Sequence, residues 1–429
     1  MRKALMICLV GACVKGNPQP DDPSFSDLGG TLPIEGCGYS VTSRIGAEAP
    51  RVGNPASVGA DPTPRLLHLG LVGDARTTMV VQWRTADEET RATEIRFAEG
   101  ANLGEDALTE TKTGIEFGYK STGSEIYRMH QAHLCGLKPD TSYSYQVGSP
   151  GHFSSVYTFH TAPNVADKPD AEVVFAFLGD SRGGYDVWQQ LVQHTIQRKP
   201  DLVLFSGDAV TVGLTQFEWE EFFGRAEPLF ATVPVISAHG NHDVNSVNYY
   251  SQFALPGDQQ NFGLDYGHAH ITVANDTPED IAAITGAFRA AIQTDFEASK
   301  NARWKLFMHH QPIWSASTRH GSSTFLKDSW NPLIDQYKID LVLNGHDHDY
   351  EVTKPLFDGQ VKASNADGTV FVVAGGAGAE LYDAAREFWT EYSEKTYSAA
   401  IIRVGRDAMT MDAFRQDNTA IPTGFSKTK

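Results

Sequence analysis

Apolar and polar positions follow two different periods along this chain, and the change falls near residue 170. From 63 to 162 come six short runs, RLLHLGLVG, TTMVVQWRT, ATEIRFAEG, YRMHQAHLCGL, TSYSYQVG and SVYTFHTAP, rich in β-branched and aromatic residues and broken by Gly, Asp and Pro turns. That spacing predicts an all-β sandwich of about 100 residues, with Trp83 in its core. The polar stretch PNVADKPD, 163–170, reads as a linker. From 171 to 429 apolar strand-like runs alternate with amphipathic helical ones such as YDVWQQLVQHTIQRKP (185–200), which predicts an α/β layer with buried strands. Residues 13–62 are rich in Gly, Pro, Ser and Asp without a sustained period and read as a tether.

With 429 residues and 41% hydrophobic positions the chain has enough apolar surface for two cores. Its formal charge of −18 argues against a broad grip on nucleic acid, which needs basic surface to displace counterions. A small phosphorylated ligand remains compatible, because a local cation reverses the field inside a pocket. The apolar run ALMICLVGA (4–12) is too short to span a bilayer. Preceded by Arg2 and Lys3 and followed by Cys13, it marks 1–12 as a signal segment. VGAC resembles the lipobox of bacterial lipoproteins, with Cys13 as the lipidated residue; a plain secretory signal is the alternative. Both place the mature chain outside the cytoplasm, with any membrane contact through a lipid on Cys13. Cys37 and Cys135 then remain, and an oxidising compartment permits a disulfide that sequence alone leaves open.

Five strand-like runs of the second region end in polar residues that share one chemistry. VVFAFLGD ends at Asp180, DLVLFSGD at Asp208, and VPVISAHGNHD at Asn241, His242 and Asp243; WKLFMHHQP supplies His309 and His310, and LVLNGHDHDY supplies His346 and His348. Singly, each has an ordinary explanation as an Asx turn or a core histidine. Together, at the carboxyl ends of buried strands, they predict one crevice. Oxygen and imidazole donors without thiolate suit Mn, Fe or Zn. The supply exceeds one ion's need and fits two ions about 3.5 to 4 Å apart sharing a carboxylate.

In this order GD (179–180), GD (207–208), GNHD (240–243), the HxP of His310 to Pro312, and GHDH (345–348) resemble the five motifs of metallophosphoesterases. GLKPDTSY (136–143) resembles the Leu-x-Pro-x-Thr-x-Tyr corner of fibronectin type III domains. A chain with both, and with VFVVAGGAGAELY (370–382), is similar to the purple acid phosphatase branch. The resemblance implies a fibronectin type III-like sandwich followed by an αββα metallophosphoesterase sandwich. It implies that Asp208 bridges two ions, that Asp180 and His348 hold the first, and that Asn241, His310 and His346 hold the second. His242 would serve the leaving group, His320 would touch substrate, and His309 would pack behind His310. Asp347 would be a supporting or loop residue, and Gly345 would let the backbone turn sharply beneath the ions.

Two positions depart from the pattern. Thr211 stands where the purple acid phosphatases carry a tyrosine, so the iron form should lack the charge-transfer band. Arg182 stands where other metallophosphoesterases carry a histidine, and a guanidinium has donors only and cannot ligate a metal. It is expected to clamp phosphate or to modulate the metal site, and Tyr185 is a possible replacement ligand. Asn245, Tyr249, Tyr250, Trp314, Arg319 and Trp330 are expected to wall the pocket. The function implied is hydrolysis of phosphate esters, monoesters favoured, by a metal-activated water. The alternatives are a phosphodiesterase with a single or weakened metal site helped by Arg182, or a non-catalytic binding protein.

Overall fold

The computed structural model describes residues 30–43, 59–87, 89–120, 126–277 and 281–429. The expected signal segment and Cys13 lie outside the described residues. The first core is a sandwich of two sheets. One is four-stranded, in the spatial order Arg65–Gly70, Thr78–Thr85, Ile126–Cys135, Ile115–Lys120. The other pairs His152–Phe153, Ser142–Ser149, Glu94–Glu99 and Glu110–Thr113, with Tyr157–His160 also on Ser142–Ser149. Trp83, Ile95, Phe97, Tyr145 and Phe159 fill the space between them. Tyr143 accepts the backbone N–H of Lys138 at 3.0 Å, closing the corner that GLKPDTSY announced.

Two departures from the expected plan have clear causes. The strand Glu110–Thr113 (ETKT) is exposed at every position, so no hydrophobic alternation marks it. Within the expected tether, Gly30–Ile34 and Tyr39–Ser43 pair as an antiparallel hairpin. Cys37, at its turn, is disulfide-bonded to Cys135 of the sandwich, with Cα atoms 5.3 Å apart.

The second region has the αββα layering. One six-stranded sheet places Val235–Ser237, Leu202–Phe205 and Val173–Leu178 side by side in parallel, then continues antiparallel through Ser398–Val404, Ala408–Arg415 and Ala420–Thr428. A seven-stranded sheet carries Ala269–Val273, Trp304–Met308, Leu341–Asn344 and Val370–Ala374 in parallel at its centre. These parallel strands are nearly continuous apolar runs because both faces are covered. Helices Tyr185–Ile196 and Gln216–Phe230 cover the first sheet, with Trp188 stacked on Phe222 at 5.2 Å and edge-on to Phe205. Phe296 and Trp330, on helices Arg289–Ala298 and Thr324–Tyr337, meet Phe307 on the second.

The linker does not hold the two cores apart. Buried residues of both form one continuous cluster. His68 of the sandwich stacks on Phe223 at 4.1 Å and bonds the Gln252 carbonyl at 2.5 Å. Tyr145 donates to the Ala231 carbonyl and Leu66 to Glu227. Among the described residues no helix is long and apolar enough to cross a membrane.

Candidate metal centre

The five strand ends named from sequence meet at one place. Asp180, Asp208 and His348 are buried and bring one ligand atom each within 4.8 Å of one another. Beside them, the Asn241 Oδ1 lies 3.1 Å from His310 Nε2 and 2.9 Å from His346 Nδ1, and the two imidazoles approach to 3.3 Å. Asp208 lies between the groups, with Oδ1 3.4 Å from His310 Nε2. The ligand loops adopt a conformation L residues avoid: Asp180, Asp208 and His346 have φ of 60°, 56° and 69°. Each such residue costs about 1–3 kcal/mol, held only where the surroundings enforce it. The sharp turn therefore falls on His346 and not, as expected, on Gly345. Gly345 is needed for close approach instead, since a Cβ there would sit 2.2 Å from Asp180 Oδ2.

Hydrogen bonds behind the ligands aim them. A carbonyl only accepts, so His310 Nδ1–H donates to Ser206 and His348 Nδ1–H to Glu380, which turns both Nε2 atoms toward the crevice. The Asp180 carboxylate accepts the His346 backbone N–H. Asp243 takes the N–H groups of Asp208, Ala209 and Gly240 on its carboxylate. His242 Nδ1–H donates to the Thr211 carbonyl at 2.7 Å, so its Nε2 is the free atom.

The electrostatics call for a cation. Burial alone would lower the His310 pKa, yet Asp208 and Asp180 outweigh it and raise it to about 10. Burial pushes His346 well below its ordinary value, and the neighbouring His310 adds to the shift. Burial would raise Asp208, but His310, His242 and Arg182 overturn that and hold it below the usual carboxylate range. Buried carboxylates and aimed imidazole lone pairs, without thiolate, fit borderline transition ions. Asp208 is common to the Asp180–His348 group and to the group of Asn241, His310 and His346.

The remaining expected residues divide. His309 is buried against Asp276 at 2.9 Å, behind His310. Asp347 is buried and accepts from Ser315 Oγ at 2.6 Å, away from the ligands. The exposed His320 ring lies 4.4 Å from that of His346, tilted by 35°. Arg182 points inward, 3.3 Å from both Asp208 Oδ2 and His348 Nε2. Tyr185 is no replacement ligand, because its hydroxyl donates to Glu218. Tyr249, Tyr250 and Trp330 do not wall the pocket; all three are fully buried in the core. Trp314 packs on Trp389, with the Lys327 ammonium over its ring. A residue that sequence reasoning missed takes their place. Tyr382 stacks on His348 at 4.1 Å and lies 5.6 Å from the ring of His320. Its only signal was its position at the end of VFVVAGGAGAELY.

A sandwich fused to an αββα layer, with Asp, Asn and His delivered by five strand ends, defines a metallophosphoesterase. Residues 173–350 match the calcineurin-like phosphoesterase family, and 64–161 match the purple acid phosphatase N-terminal domain. The chain thus carries a calcineurin-like phosphoesterase domain preceded by a purple acid phosphatase N-terminal domain. It is 28% identical over 366 residues to acid phosphatase type 7 of Homo sapiens, covering 77% of this chain and 81% of that one. It is 26% identical over 355 residues to probable inactive purple acid phosphatase 1 of Arabidopsis thaliana, covering 70% of this chain and 56% of the relative, so it spans little more than half that protein's length. In structure it is similar to purple acid phosphatase PPD1 from yellow lupin seeds, with a TM-score of 0.73, 16% identity, and coverage of 86% and 74%.

Proposed function

We propose that this protein hydrolyses phosphate esters, with monoesters preferred, at a metal centre held by Asp180, Asp208, Asn241, His310, His346 and His348. The observation that carries this is the convergence of both ligand groups on Asp208, with the free Nε2 of His242 beside them. Bound ions supply Lewis-acid polarisation of the phosphoryl group and activation of the attacking water. The ligand inventory suffices for two ions, and Fe, Mn and Zn are the candidates.

The chain's own groups do the rest. Arg182 has guanidinium N–H groups beyond the two engaged with Asp208 and His348, and these suit phosphate oxygens. His242 is fixed through Nδ1–H, so it delivers a proton to a departing alkoxide from Nε2 only as the imidazolium. His320 and Tyr382 face the same opening and orient the ester. A second reading, hydrolysis with a single ion assisted by Arg182, draws on the two contacts that Arg182 makes with ligand atoms. The setting we infer is extracytoplasmic, anchored through Cys13 or secreted, and the Cys37–Cys135 disulfide supports it.

The test is turnover of p-nitrophenyl phosphate against its bis-ester by the metal-loaded chain. Turnover should vanish with a chelator, and Asp208→Asn should cost about two orders of magnitude or more, because polarisation by the ions is worth several kcal/mol. Unchanged turnover after chelation would remove the metal from the reaction.

A further inference from the structure

We infer that the Arg182 guanidinium occupies the first ligand group as a built-in cation, so that the chain holds one tightly bound metal ion rather than two. This rests on the metal-dependent reading of the same site. Arg182 Nε lies 3.3 Å from Asp208 Oδ2, and its Nη2 lies 3.3 Å from His348 Nε2. The two acceptor atoms belong to two of the three residues, Asp208 and His348 with Asp180, that each bring a ligand atom to one position. A guanidinium only donates, and His348 Nδ1–H is already committed to the Glu380 carbonyl. The His348 Nε2 lone pair, the one a metal needs, is therefore taken by Arg182. The Asp208 Oδ2 lone pair facing this group is taken as well.

The arginine is held in this position. Its side chain is only 17% exposed, and its backbone N–H reaches the Asp208 carbonyl at 3.4 Å. Tyr382 stacks on the face of His348, the imidazole that Arg182 contacts. A guanidinium keeps its charge at any working pH, so it neutralises the buried Asp208 without any metal in the medium. The second ligand group is untouched. Asn241 Oδ1, His310 Nε2, His346 Nδ1 and Asp208 Oδ1 face one another, and none of the guanidinium bonds reaches them. Asp208 thus divides its two oxygens between an ion position and a fixed organic cation. A phosphate bound across the two would meet a metal on one side and guanidinium N–H donors on the other.

The experiment is metal stoichiometry by elemental analysis on the full chain, loaded with Zn or Mn and passed through a desalting column. Wild type is set beside Arg182→Ala and Arg182→His, with thermal unfolding as the check that each folds. The expected result is one ion per chain in wild type and two in both variants. Two ions in wild type overturns the inference and leaves metal-dependent hydrolysis standing, whatever the variants do. One ion in all three chains also overturns it, because the guanidinium would not be what excludes the second. No ion in any chain overturns the functional reading itself.

Discussion

Asp243 holds backbone N–H groups beside the candidate ligands, and both central ligand loops hang from it. Its carboxylate accepts from Asp208 at 3.0 Å, Ala209 at 3.1 Å and Gly240 at 2.8 Å. Burial, and then the charge of Asp208, push its pKa up to about 8, so these N–H bonds work against a costly desolvation. Replacing it with alanine leaves three buried N–H groups without a partner and frees the loop carrying Asp208. Partners of this kind are worth about 10- to 100-fold in metal affinity. Asp243→Ala should lose that much in a competition titration with a zinc chelator; a change within threefold would mean the loop holds itself. At this scale the sequence was informative about which residues carry the chemistry, because Asp, Asn and His at the ends of apolar runs have few other reasons to recur. It was silent on direction. Nothing in GDSRGG distinguishes an arginine facing solvent from one 3.3 Å from two ligand atoms. Tyr382 was invisible because its ring partners, His348 and His320, lie far away in the chain.

Elements hold together through polar contacts as well as apolar ones, and one such contact gives the fold a pH dependence. His270, in the strand Ala269–Val273, bonds Asp265 on the paired strand at 2.7 Å and Asp295 on helix Arg289–Ala298 at 3.0 Å. Burial would lower its pKa, but the two carboxylates win and raise it to about 9. A pKa raised in the folded state contributes stability that is complete below the unfolded value of about 6.5 and is lost as pH rises through the folded one. The contribution should be about 1–2 kcal/mol, reduced from the full shift because Asp265 is largely exposed. Urea unfolding from about pH 6 to about pH 10 should show that loss in wild type and a flatter profile in His270→Asn; parallel profiles would count against it. Element types followed from periodicity wherever one face was buried. They failed at Glu110–Thr113, where no face is buried, and in the hairpin from Gly30 to Ser43, which is held by a disulfide and a small cluster around Val41 and Val72.

Across the whole molecule, one covalent bond and one shared core decide how the parts behave. The Cys37–Cys135 bond closes a loop with a sequence separation of 98. Removing it should cost about 2–4 kcal/mol, chiefly by enlarging the unfolded ensemble. A Cys37→Ser, Cys135→Ser double variant compared with wild type in urea should show a lower midpoint; equal midpoints would mean the bond is not formed in the protein. Two regions were legible because the hydrophobic period changes at 170, but their fusion was not, since His68, Phe223 and Gln252 are ordinary residues until they meet. That shared core has a practical consequence for anyone who would cut the protein at its linker. A chain beginning at 171 would bare Phe223, now stacked under His68 of the sandwich, and open the apolar cluster around it. The sandwich is therefore part of the phosphoesterase core's own packing, and a chain cut at the linker should aggregate where the full chain does not.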